Sequence, residues 1–557
     1  MIILCQCFRR IGRWHRTENR TLFWLLILTM FVFVGCSTEK VTEEPQVTPE
    51  IAKETVRNLE LYNLEAPKGS KYEAIVTEFD LGKKEYLSKA GKIMPYNIRG
   101  IIGVPEGDGP FPLILITHGS HSNDDETKRF DTGFDYVVKD LAENGYIAVS
   151  MDMSKPYIWK YGDGDDAEKS IPIANDHIEN LILANEGNNP GYGVDLKGKI
   201  DFDKIALAGH SRGGETIFDI TDDQAKRGVR IKALLSIAPT ALFEREMPDI
   251  DVAIIVSEYD GDVQLDGYNM YSMLNAKSKG LHFVTLLMKG NHNYFNRNIQ
   301  ENDSWRSRHK NLDDQLTREQ QESFLTNYAV GFFNAVLLGK TDDFINANLP
   351  QPNKMYGFNV KTMYRTDKKI DLVDVTTTDD FKAEGGFVEA TVDSWFFKLD
   401  KVLIDTVTSG IEPFNIRPLI NVKWTDRNSR VNISPKVQDF SRHEALTLNM
   451  VIDSADELNK KDASQQFTVE LKDAYGNLSR VVLPENMNAL ERTPGEMDYT
   501  PLGDMVLTFW STASPVSCIN LPLNEFKNLD FKHIESISLI FDKTDSGSIF
   551  IDSITLQ

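Results

Sequence analysis

One serine of this chain stands in a setting that suits nucleophilic chemistry. Ser211 is the centre of the run Gly209–Gly214 (GHSRGG), which follows the apolar stretch Lys204–Ala208 (KIALA) and precedes a helical pattern. A nucleophilic serine needs a sharp strand-to-helix turn, and glycines on both sides leave room for that turn. A serine hydroxyl reacts only when a neighbouring base takes its proton. The pattern predicts Ser211 as the nucleophile of an acyl transfer; the alternative is a glycine-rich turn without catalytic meaning.

The candidate base is a histidine that follows a later apolar run. His292 lies in the segment GNHNYF, directly after Phe283–Met288 (FVTLLM). Loops that follow parallel strands meet at one edge of the sheet, so His292 is expected to approach Ser211 there. Two other histidines fit this role less well. His282 begins the same apolar run and is expected to be structural, whereas His309 lies in a charged stretch and is expected to be solvated.

The third member of such a site is a carboxylate that orients the histidine and stabilises its charged form. Three candidates follow the apolar run Val252–Ser257 (VAIIVS), namely Glu258, Asp260 and Asp262. All three precede His292, in the chain order serine, acid, histidine that is typical of this kind of nucleophile turn. Glu258 is the least favoured, and the residues alone leave Asp260 and Asp262 open.

Two backbone N–H groups are expected to stabilise the oxyanion that forms during acyl transfer. One is the amide of Arg212, next to the nucleophile, and the other is the amide of Ser120, which follows the run LILIT and Gly119. His118 and His121, in the same loop, could ligate a metal, but no third ligand has a recognisable spacing. Packing or substrate contact is therefore favoured for them, and we expect neither a metal nor another cofactor in catalysis.

The elements that would position these residues alternate between short apolar runs and amphipathic helical stretches. From about residue 70 to 340 this alternation predicts an α/β fold with a mostly parallel sheet covered by helices. A long helical stretch, Glu319–Leu338, would close that fold. Short alternating strands follow from about residue 355, which is typical of a β-sandwich or jelly roll. We assign residues 69–345 to a catalytic domain and residues 346–557 to an all-β domain.

Four segments together resemble secreted bacterial α/β-hydrolases of the chlorophyllase, dienelactone hydrolase and platelet-activating-factor acetylhydrolase groups. They are Pro110–Gly119 (PFPLILITHG), the turn GHSRGGE, the acid loop and GNHNYF. The resemblance implies an α/β-hydrolase fold over residues 85–340. It also implies that a Ser-Asp-His triad hydrolyses a carboxylic ester, of a small molecule, a lipid or a polymer, through an acyl-enzyme intermediate. In these families the acid stands three residues before a core valine, which selects Asp260 before Val263, with Asp262 as the alternative acid.

The chain departs from polyester-hydrolase relatives in two ways. It lacks their disulfides, and it carries a polar insert, Ser154–Lys169, that is expected to lie over the carboxyl edge of the sheet. The insert's aromatic residues, Tyr157, Trp159 and Tyr161, either contact substrate or pack as in an ordinary surface loop. Two other functions stay open. The same triad would serve a serine peptidase, and the alternative from another class is a non-catalytic cell-surface lipoprotein that binds carbohydrate.

The C-terminal part resembles galactose-binding-like jelly rolls in its closing strands, which fall within Ile519–Asp530, Ile534–Phe541 and Gly547–Asp552. The resemblance implies glycan binding and a structural calcium ion, with a carboxylate such as that of Asp552 near the last strand. The sequence does not place the other oxygen ligands that calcium would need. Three tryptophans either stack on sugar faces or fill the sandwich core: Trp395, Trp424 and Trp510.

The N-terminal residues are typical of an export signal. Five arginines among the first 20 residues precede the apolar run Leu22–Val34, which is short for a membrane span but suits a signal peptide. That run ends at FVGC, which resembles the bacterial lipobox and implies lipidation of Cys36. We therefore predict a signal peptide over residues 1–36, a polar tether over residues 37–68, and a lipid anchor in the cell envelope, at the outer membrane or cell surface. An uncleaved membrane anchor is the alternative.

The charge and the cysteines limit partners and crosslinks. The formal net charge is −22, so the acidic surface disfavours nucleic acid as a partner. Of 4 cysteines, only Cys518 would stay free once the signal peptide is removed and Cys36 is lipidated. No disulfide is therefore expected. Cys518 lies in an alternating stretch and is expected to be buried.

Overall fold

The computed structural model describes residues 52–69, 71–121, 128–162, 166–242, 245–307, 309–341, 344, 346–394, 416–502, 505–512 and 514–557. These residues belong to one compact unit, Ala52–Gln557. The predicted signal peptide, Cys36 and Trp395 lie outside the described residues. Within the described ranges, no helix combines the length and the apolar character that crossing a bilayer requires.

Eleven strands of the described chain form one large mixed sheet, in the order β2-β11-β12-β10-β9-β8-β7-β5-β6-β4-β3. In chain order the first elements are β1 (Glu54–Asn58), β2 (Tyr62–Leu64), β3 (Ala74–Leu87), β4 (Ile93–Pro105), β5 (Phe111–Thr117), α1 (Asp135–Glu143), β6 (Ile147–Met151), α2 (Ala167–Asn185), β7 (Ile200–His210), α3 (Arg212–Lys226), β8 (Ile231–Ile237), β9 (Asp251–Ser257), α4 (Asp266–Lys277), β10 (His282–Leu287), α5 (Arg318–Leu338), β11 (Pro352–Met355) and β12 (Phe358–Arg365).

Strands β5 to β10 form the parallel centre of this sheet, where β5 pairs with β6 and β7, and β7, β8, β9 and β10 pair in turn. Their apolar residues are buried on both faces, which is why these strands appear in the sequence as continuous apolar runs. Side chains of α2, α3 and α4 pack in one core cluster, and those of α1 and α5 pack in another. The loops after β5, β7, β9 and β10 therefore meet at the carboxyl edge of the sheet.

The remaining strands form a β-rich C-terminal part. They are β13 (Ile370–Asp371), β14 (Phe381–Glu384), β15 (Gly386–Ser394), β16 (Ile416–Trp424), β17 (Arg430–Ile433), β18 (Ala445–Ile452), β19 (Thr468–Asp473), β20 (Leu478–Val482), β21 (Met497–Leu502), β22 (Met505–Trp510), β23 (Ser517–Pro522), β24 (Ile534–Ile540) and β25 (Gly547–Leu556). One 6-stranded sheet has the order β1-β20-β19-β24-β17-β14, and the other contains β15-β16-β25-β18-β23 with β13 beside β25. Their facing side chains share one apolar cluster.

The start of the described chain differs from the predicted tether over residues 37–68. Residues 54–58 form β1, which pairs in parallel with β20, and residues 62–64 form β2, which pairs with β11. A strand at a sheet edge is held by backbone hydrogen bonds, which every residue except proline can donate and accept. The polar composition of β1 and β2 therefore does not prevent them from forming strands. The predicted boundary at residues 345 and 346 stays a prediction, but in the structure the large sheet continues past it through β11 and β12.

Two residues of the C-terminal part that were considered for a sugar or a calcium site make contacts within the protein. Trp424 is 1% exposed and stacks on Phe541 with ring centroids 4.0 Å apart, so it belongs to the sandwich core. The Asp552 carboxylate lies 3.0 Å from the Arg417 guanidinium. A cation there would displace this ion pair, and the described residues contain no group of His, Cys, Asp and Glu side chains arranged for a metal ion. Calcium binding near Asp552 stays a prediction.

Candidate active site

Ser211 occupies a strained turn between β7 and α3. Its backbone has φ 57° and ψ −126°, a conformation that residues with a side chain rarely adopt. Two hydrogen bonds hold the turn: the Ser211 amide donates to the Ile237 carbonyl at 2.9 Å, and the Gly214 amide donates to the Ser211 carbonyl at 2.9 Å. The surrounding backbone thus keeps Ser211 at the carboxyl edge of the sheet, at the start of the helix.

The glycines around Ser211 are required by close backbone contacts. A Cβ on Gly209 would lie 2.3 Å from the Gly213 carbonyl oxygen, and one on Gly213 would lie 2.4 Å from the His118 carbonyl oxygen. A Cβ on Gly119 would lie 2.6 Å from the Ser211 Cβ. The loop after β5 therefore passes directly beside the candidate nucleophile, as its sequence position predicted.

His292 and Asp260 form a fully buried pair. The His292 Nδ1–H donates to Asp260 Oδ2 at 2.7 Å, and both side chains are 0% exposed. The other oxygen of Asp260 accepts the backbone amides of Asp262, Val263 and Gln264 at 2.8, 2.8 and 3.0 Å. These bonds fix the carboxylate in one orientation, so it can set both the tautomer and the direction of the imidazole.

The two other carboxylates of the acid loop lie elsewhere. Asp262 Oδ2 is 3.6 Å from His292 Nε2, on the opposite side of the ring from Asp260, and the Asp262 side chain is half exposed. Glu258 Oε2 accepts the Lys289 amide at 2.8 Å, and burial raises the pKa of Glu258. Of the three candidates, only Asp260 hydrogen-bonds the imidazole nitrogen that a triad acid must hold.

The charge around His292 favours its protonated form. Burial alone would lower the pKa of His292, but the facing Asp260 carboxylate outweighs it, and with Asp262 and Asp303 raises that pKa to about 9. Among the described residues, His292 Nε2 has no hydrogen-bond partner, so the Ser211 hydroxyl is not bonded to it in this arrangement. Hydrogen bonds between a base and a nucleophile are often long without substrate and tighten in the reacting complex.

Contacts among histidines connect the base loop to the nucleophile turn. His210, which precedes Ser211, donates its Nε2–H to the His292 carbonyl at 3.0 Å, and the two rings lie 4.8 Å apart. The His121 ring stacks on His210 at 5.2 Å. Burial lowers the pKa of both His210 and His121, so they serve as neutral packing groups beside the charged pair.

The loop after β5 holds the residues that were considered for the oxyanion and for a metal. His118 donates from Nδ1 to the Gly119 carbonyl at 2.9 Å and accepts the Met153 amide on Nε2 at 2.9 Å, so both ring nitrogens are already engaged. Arg212 is the first residue of α3, and its N–H therefore has no acceptor within the helix. Ser120 is the partly exposed residue next to Gly119. The oxyanion roles of Ser120 and Arg212 stay predictions.

Asp303 is a residue that sequence reasoning missed. It is 1% exposed and accepts the Gly261 amide at 2.7 Å through one oxygen and the Asn293 amide at 3.2 Å through the other. It therefore links the loop of the acid to the loop of the base. Asp303 lies in a polar stretch, between β10 and α5, that has no motif, so no sequence signal distinguishes it from the solvated carboxylates around it.

Four further residues of the sequence analysis can be placed. Tyr157 is buried and donates its hydroxyl to the His118 carbonyl at 3.1 Å, whereas Trp159 is 76% exposed. His309 differs from the predicted solvated residue, because its ring lies half-buried against Tyr259 with centroids 4.6 Å apart. His282 is buried between the Ser278 hydroxyl and the Asn275 amide oxygen, at 3.1 and 3.0 Å, in the structural role that was expected.

Comparison with known proteins supports an α/β-hydrolase-like fold for part of this chain. Residues 76–252 match the family model described as chlorophyllase, an α/β-hydrolase-like family of hydrolases that act on esters. This confirms the resemblance to the chlorophyllase group over those residues. The match includes Ser120, Ser211 and Arg212 but ends before Asp260 and His292, whose pairing is known from geometry alone. No curated protein matches the chain.

Proposed function

We propose that this chain is a serine esterase. Ser211 Oγ attacks the carbonyl carbon of a carboxylic ester while His292 Nε2 takes its proton, and the amides of Ser120 and Arg212 stabilise the oxyanion. The imidazolium then protonates the leaving alcohol. A water molecule, activated by the same imidazole, hydrolyses the acyl-enzyme and restores the serine. Asp260 holds the imidazole and balances its charge throughout.

The observation that carries this proposal is the strained Ser211 turn beside a buried Asp260–His292 pair. Strained backbone of this kind persists only where the surrounding structure imposes it, and it is concentrated at functional sites. A buried imidazole–carboxylate pair has no evident packing purpose, since two apolar side chains would fill the same space with less desolvation. The His210 contact to the His292 carbonyl keeps the two features adjacent.

Hydrolysis of p-nitrophenyl acetate by Ser211→Ala tests the proposal. We expect hydrolysis to fall to a residual rate, lower by a factor on the order of 10⁶, while the melting temperature stays close to that of the wild type. Wild type should also be labelled by a fluorophosphonate probe, and Ser211→Ala should not. Ser323→Ala, at an exposed position on α5, is the matched control and should behave as wild type.

Three outcomes would contradict the proposal. Retained esterase activity in Ser211→Ala would remove this serine from the mechanism. Cleavage of peptide but not ester substrates would favour the peptidase alternative. Silence of the wild type toward both substrates and the probe, together with binding on a glycan array, would favour the non-catalytic lipoprotein.

We also propose that a lipid on Cys36 anchors the protein in the cell envelope, which rests on the sequence of the signal region. Cys36→Ser should abolish incorporation of labelled palmitate and release the protein from the membrane fraction. Unchanged labelling of that variant would contradict the anchor. Glycan binding by the C-terminal part rests on its family resemblance alone, since Trp424 is buried in the core.

A further inference from the structure

A cavity lies at the carboxyl edge of the large sheet, and Ser211 is not among the residues that line it. It has a volume of about 480 Å³ and is lined by residues that follow β9 and β10 and by residues 491–496 and 511–512 of the C-terminal part. Both parts of the described chain therefore build its wall. Its size lies within the range of small-molecule sites in proteins.

Lys361 is an unusual member of this wall. It lies in β12, is only 5% exposed, and makes no side-chain hydrogen bond or close ion pair with the described residues, although the Glu491 and Glu258 carboxylates act on it from a longer distance. Burial lowers its pKa, as expected for an ammonium removed from water. A buried ammonium that no carboxylate contacts directly is costly to keep, so this lysine facing a cavity indicates that a ligand supplies a closer counter-charge.

Arg492 is a second cation of the same wall. Its Nε is buried and, within the described part of the chain, has no acceptor. A guanidinium donates in a planar fork that matches the two oxygens of a carboxylate. Lys361 and Arg492 come from the α/β part and the C-terminal part respectively, so the cavity brings together two cations that are distant in the chain.

Among the described residues, the acidic side chains of the wall make no close ion pair with Lys361 or Arg492. Asp314 pairs with Lys289 at 2.5 Å, and Glu496 pairs with Lys310 at 3.4 Å. Glu258 accepts a backbone amide, and burial raises its pKa, which disfavours its charged form. Glu491 also lines the cavity, and its charge acts to raise the pKa of Lys361, but it makes no close ion pair in the described residues.

Two aromatic rings, tilted against each other by 48°, complete the site. The His309 ring packs on Tyr259, and the Tyr259 hydroxyl donates to Asp314 at 2.9 Å, which holds the pair in place. Burial lowers the pKa of His309 to about 4, so its ring adds no charge near neutral pH. These rings suit contact with the carbon skeleton of a ligand, while the two cations suit its charged end.

We propose that this cavity binds a small organic carboxylate, whose carboxyl group lies between Lys361 and Arg492 and whose skeleton packs against Tyr259 and His309. The site is separate from the proposed triad, and its occupancy does not depend on esterase activity. It is formed only where the α/β part and the C-terminal part meet, which gives their junction a binding role.

Isothermal titration calorimetry on the full chain tests this proposal with two matched pairs of probes. Glucuronate and benzoate carry a carboxylate, and glucose and benzamide are their uncharged counterparts. At least one carboxylate should bind at millimolar or lower concentration, and its uncharged counterpart should not. Lys361→Met and Arg492→Gln should each weaken binding by about ten-fold or more.

Lys83→Met is the matched control, because Lys83 is an exposed lysine on β3, at the opposite end of the large sheet. It should bind as wild type does. Circular dichroism and the melting temperature establish that the variants are folded, and Arg492→Gln keeps the test valid if Lys361→Met does not fold. Absence of binding for both carboxylates, or equal binding by the folded cavity variants, would overturn the proposal. Inactive Ser211→Ala should bind normally, which separates this site from the proposed esterase function.

Discussion

Among single residues, Asp260 differs most clearly from its neighbours. One of its oxygens accepts three backbone amides and the other contacts His292 Nδ1, so the carboxylate is fully engaged and has one orientation. Asp262 is half exposed and faces the other ring nitrogen. The Asp260 contact keeps a proton on His292 Nδ1. The Asp262 carboxylate instead places negative charge near Nε2, the nitrogen that must accept the serine proton.

This difference predicts unequal effects of two isosteric substitutions. Asp260→Asn should lower kcat for ester hydrolysis by about 10⁴-fold, because it favours the wrong imidazole tautomer. Asp262→Asn should change kcat by less than about ten-fold near the pH optimum. Steady-state kinetics on p-nitrophenyl acetate measure both. A larger loss in Asp262→Asn than in Asp260→Asn would make Asp262 the acid.

The raised pKa of His292 predicts an alkaline pH profile. With a pKa of about 9, His292 is mostly protonated near neutral pH and cannot accept the serine proton. The value of kcat/KM should therefore rise with pH and level off only above about 9. Asp262→Asn removes one facing carboxylate and should move the midpoint to lower pH. A wild-type profile that is already level at neutral pH would contradict this assignment.

The same pKa has a consequence for stability. Folded His292 binds its proton more tightly than an unfolded histidine with a pKa of 6.5. Its contribution to the free energy of unfolding is therefore complete below pH 6.5 and is lost as the pH rises through about 9. Urea unfolding of wild type and His292→Gln over that interval should converge as the pH rises.

At the scale of elements, the site depends on loops that are joined by one buried side chain. Asp303 accepts an amide from the acid loop and another from the base loop, so it fixes the distance between them. It also adds negative charge near His292. Asp303 is therefore a positioning residue in the proposed mechanism.

Asp303→Asn tests this positioning role. Asparagine keeps only one acceptor oxygen, so one loop loses its contact, and displacement of a catalytic group by about 1 Å can cost about 100-fold in rate. We expect kcat to fall by about ten- to 100-fold and the apparent pKa of the pH profile to drop, since one carboxylate is lost. A purely structural residue would lower the melting temperature without moving that pKa. Asp313→Asn, at an exposed position nearby, is the control.

At the scale of the whole molecule, the α/β part and the C-terminal β part share packing and hydrogen bonds. Leu419, Val516 and Phe550 belong to the same apolar cluster as the residues of α2, α3 and α4. Tyr364 of β12 donates to Asn520 at 2.5 Å, and Asn520 in turn donates to the Leu349 carbonyl at 2.7 Å. The Tyr364 and Asn520 side chains are buried at this junction, so the two parts share an interior.

The shared packing predicts that the two parts unfold together. Differential scanning calorimetry of the full chain should give a single cooperative transition. Asn520→Ala should lower the midpoint, because it leaves the buried Tyr364 hydroxyl short of an acceptor at a cost of about 1–3 kcal/mol. Two resolved transitions, with only one shifted by the substitution, would indicate that the parts fold separately.

The sequence predicted the central strands well and the ends of the fold poorly. The apolar runs at β5 to β10 match observed strands because burial on both faces demands continuous apolar residues. Strands β1 and β2 were missed because their pairing partners, β20 and β11, are several hundred residues away and their own composition is polar. A strand that is held at a sheet edge by backbone hydrogen bonds needs no particular pattern of side chains, so the local sequence does not predict it.

Sequence alone determined which residues could do chemistry here: the glycine-flanked Ser211, the candidate acids after β9 and His292 after β10. Each of these predictions depends only on consecutive residues. The glycines that leave room for the Ser211 turn, and the loop residues that follow each strand, can be identified from the local sequence. Tertiary structure decided which carboxylate contacts His292, that Asp303 joins the two loops, and that Lys361 and Arg492 face one cavity. Those relations depend on distances between segments far apart in the chain, and such distances arise only when the strands and the C-terminal part have packed.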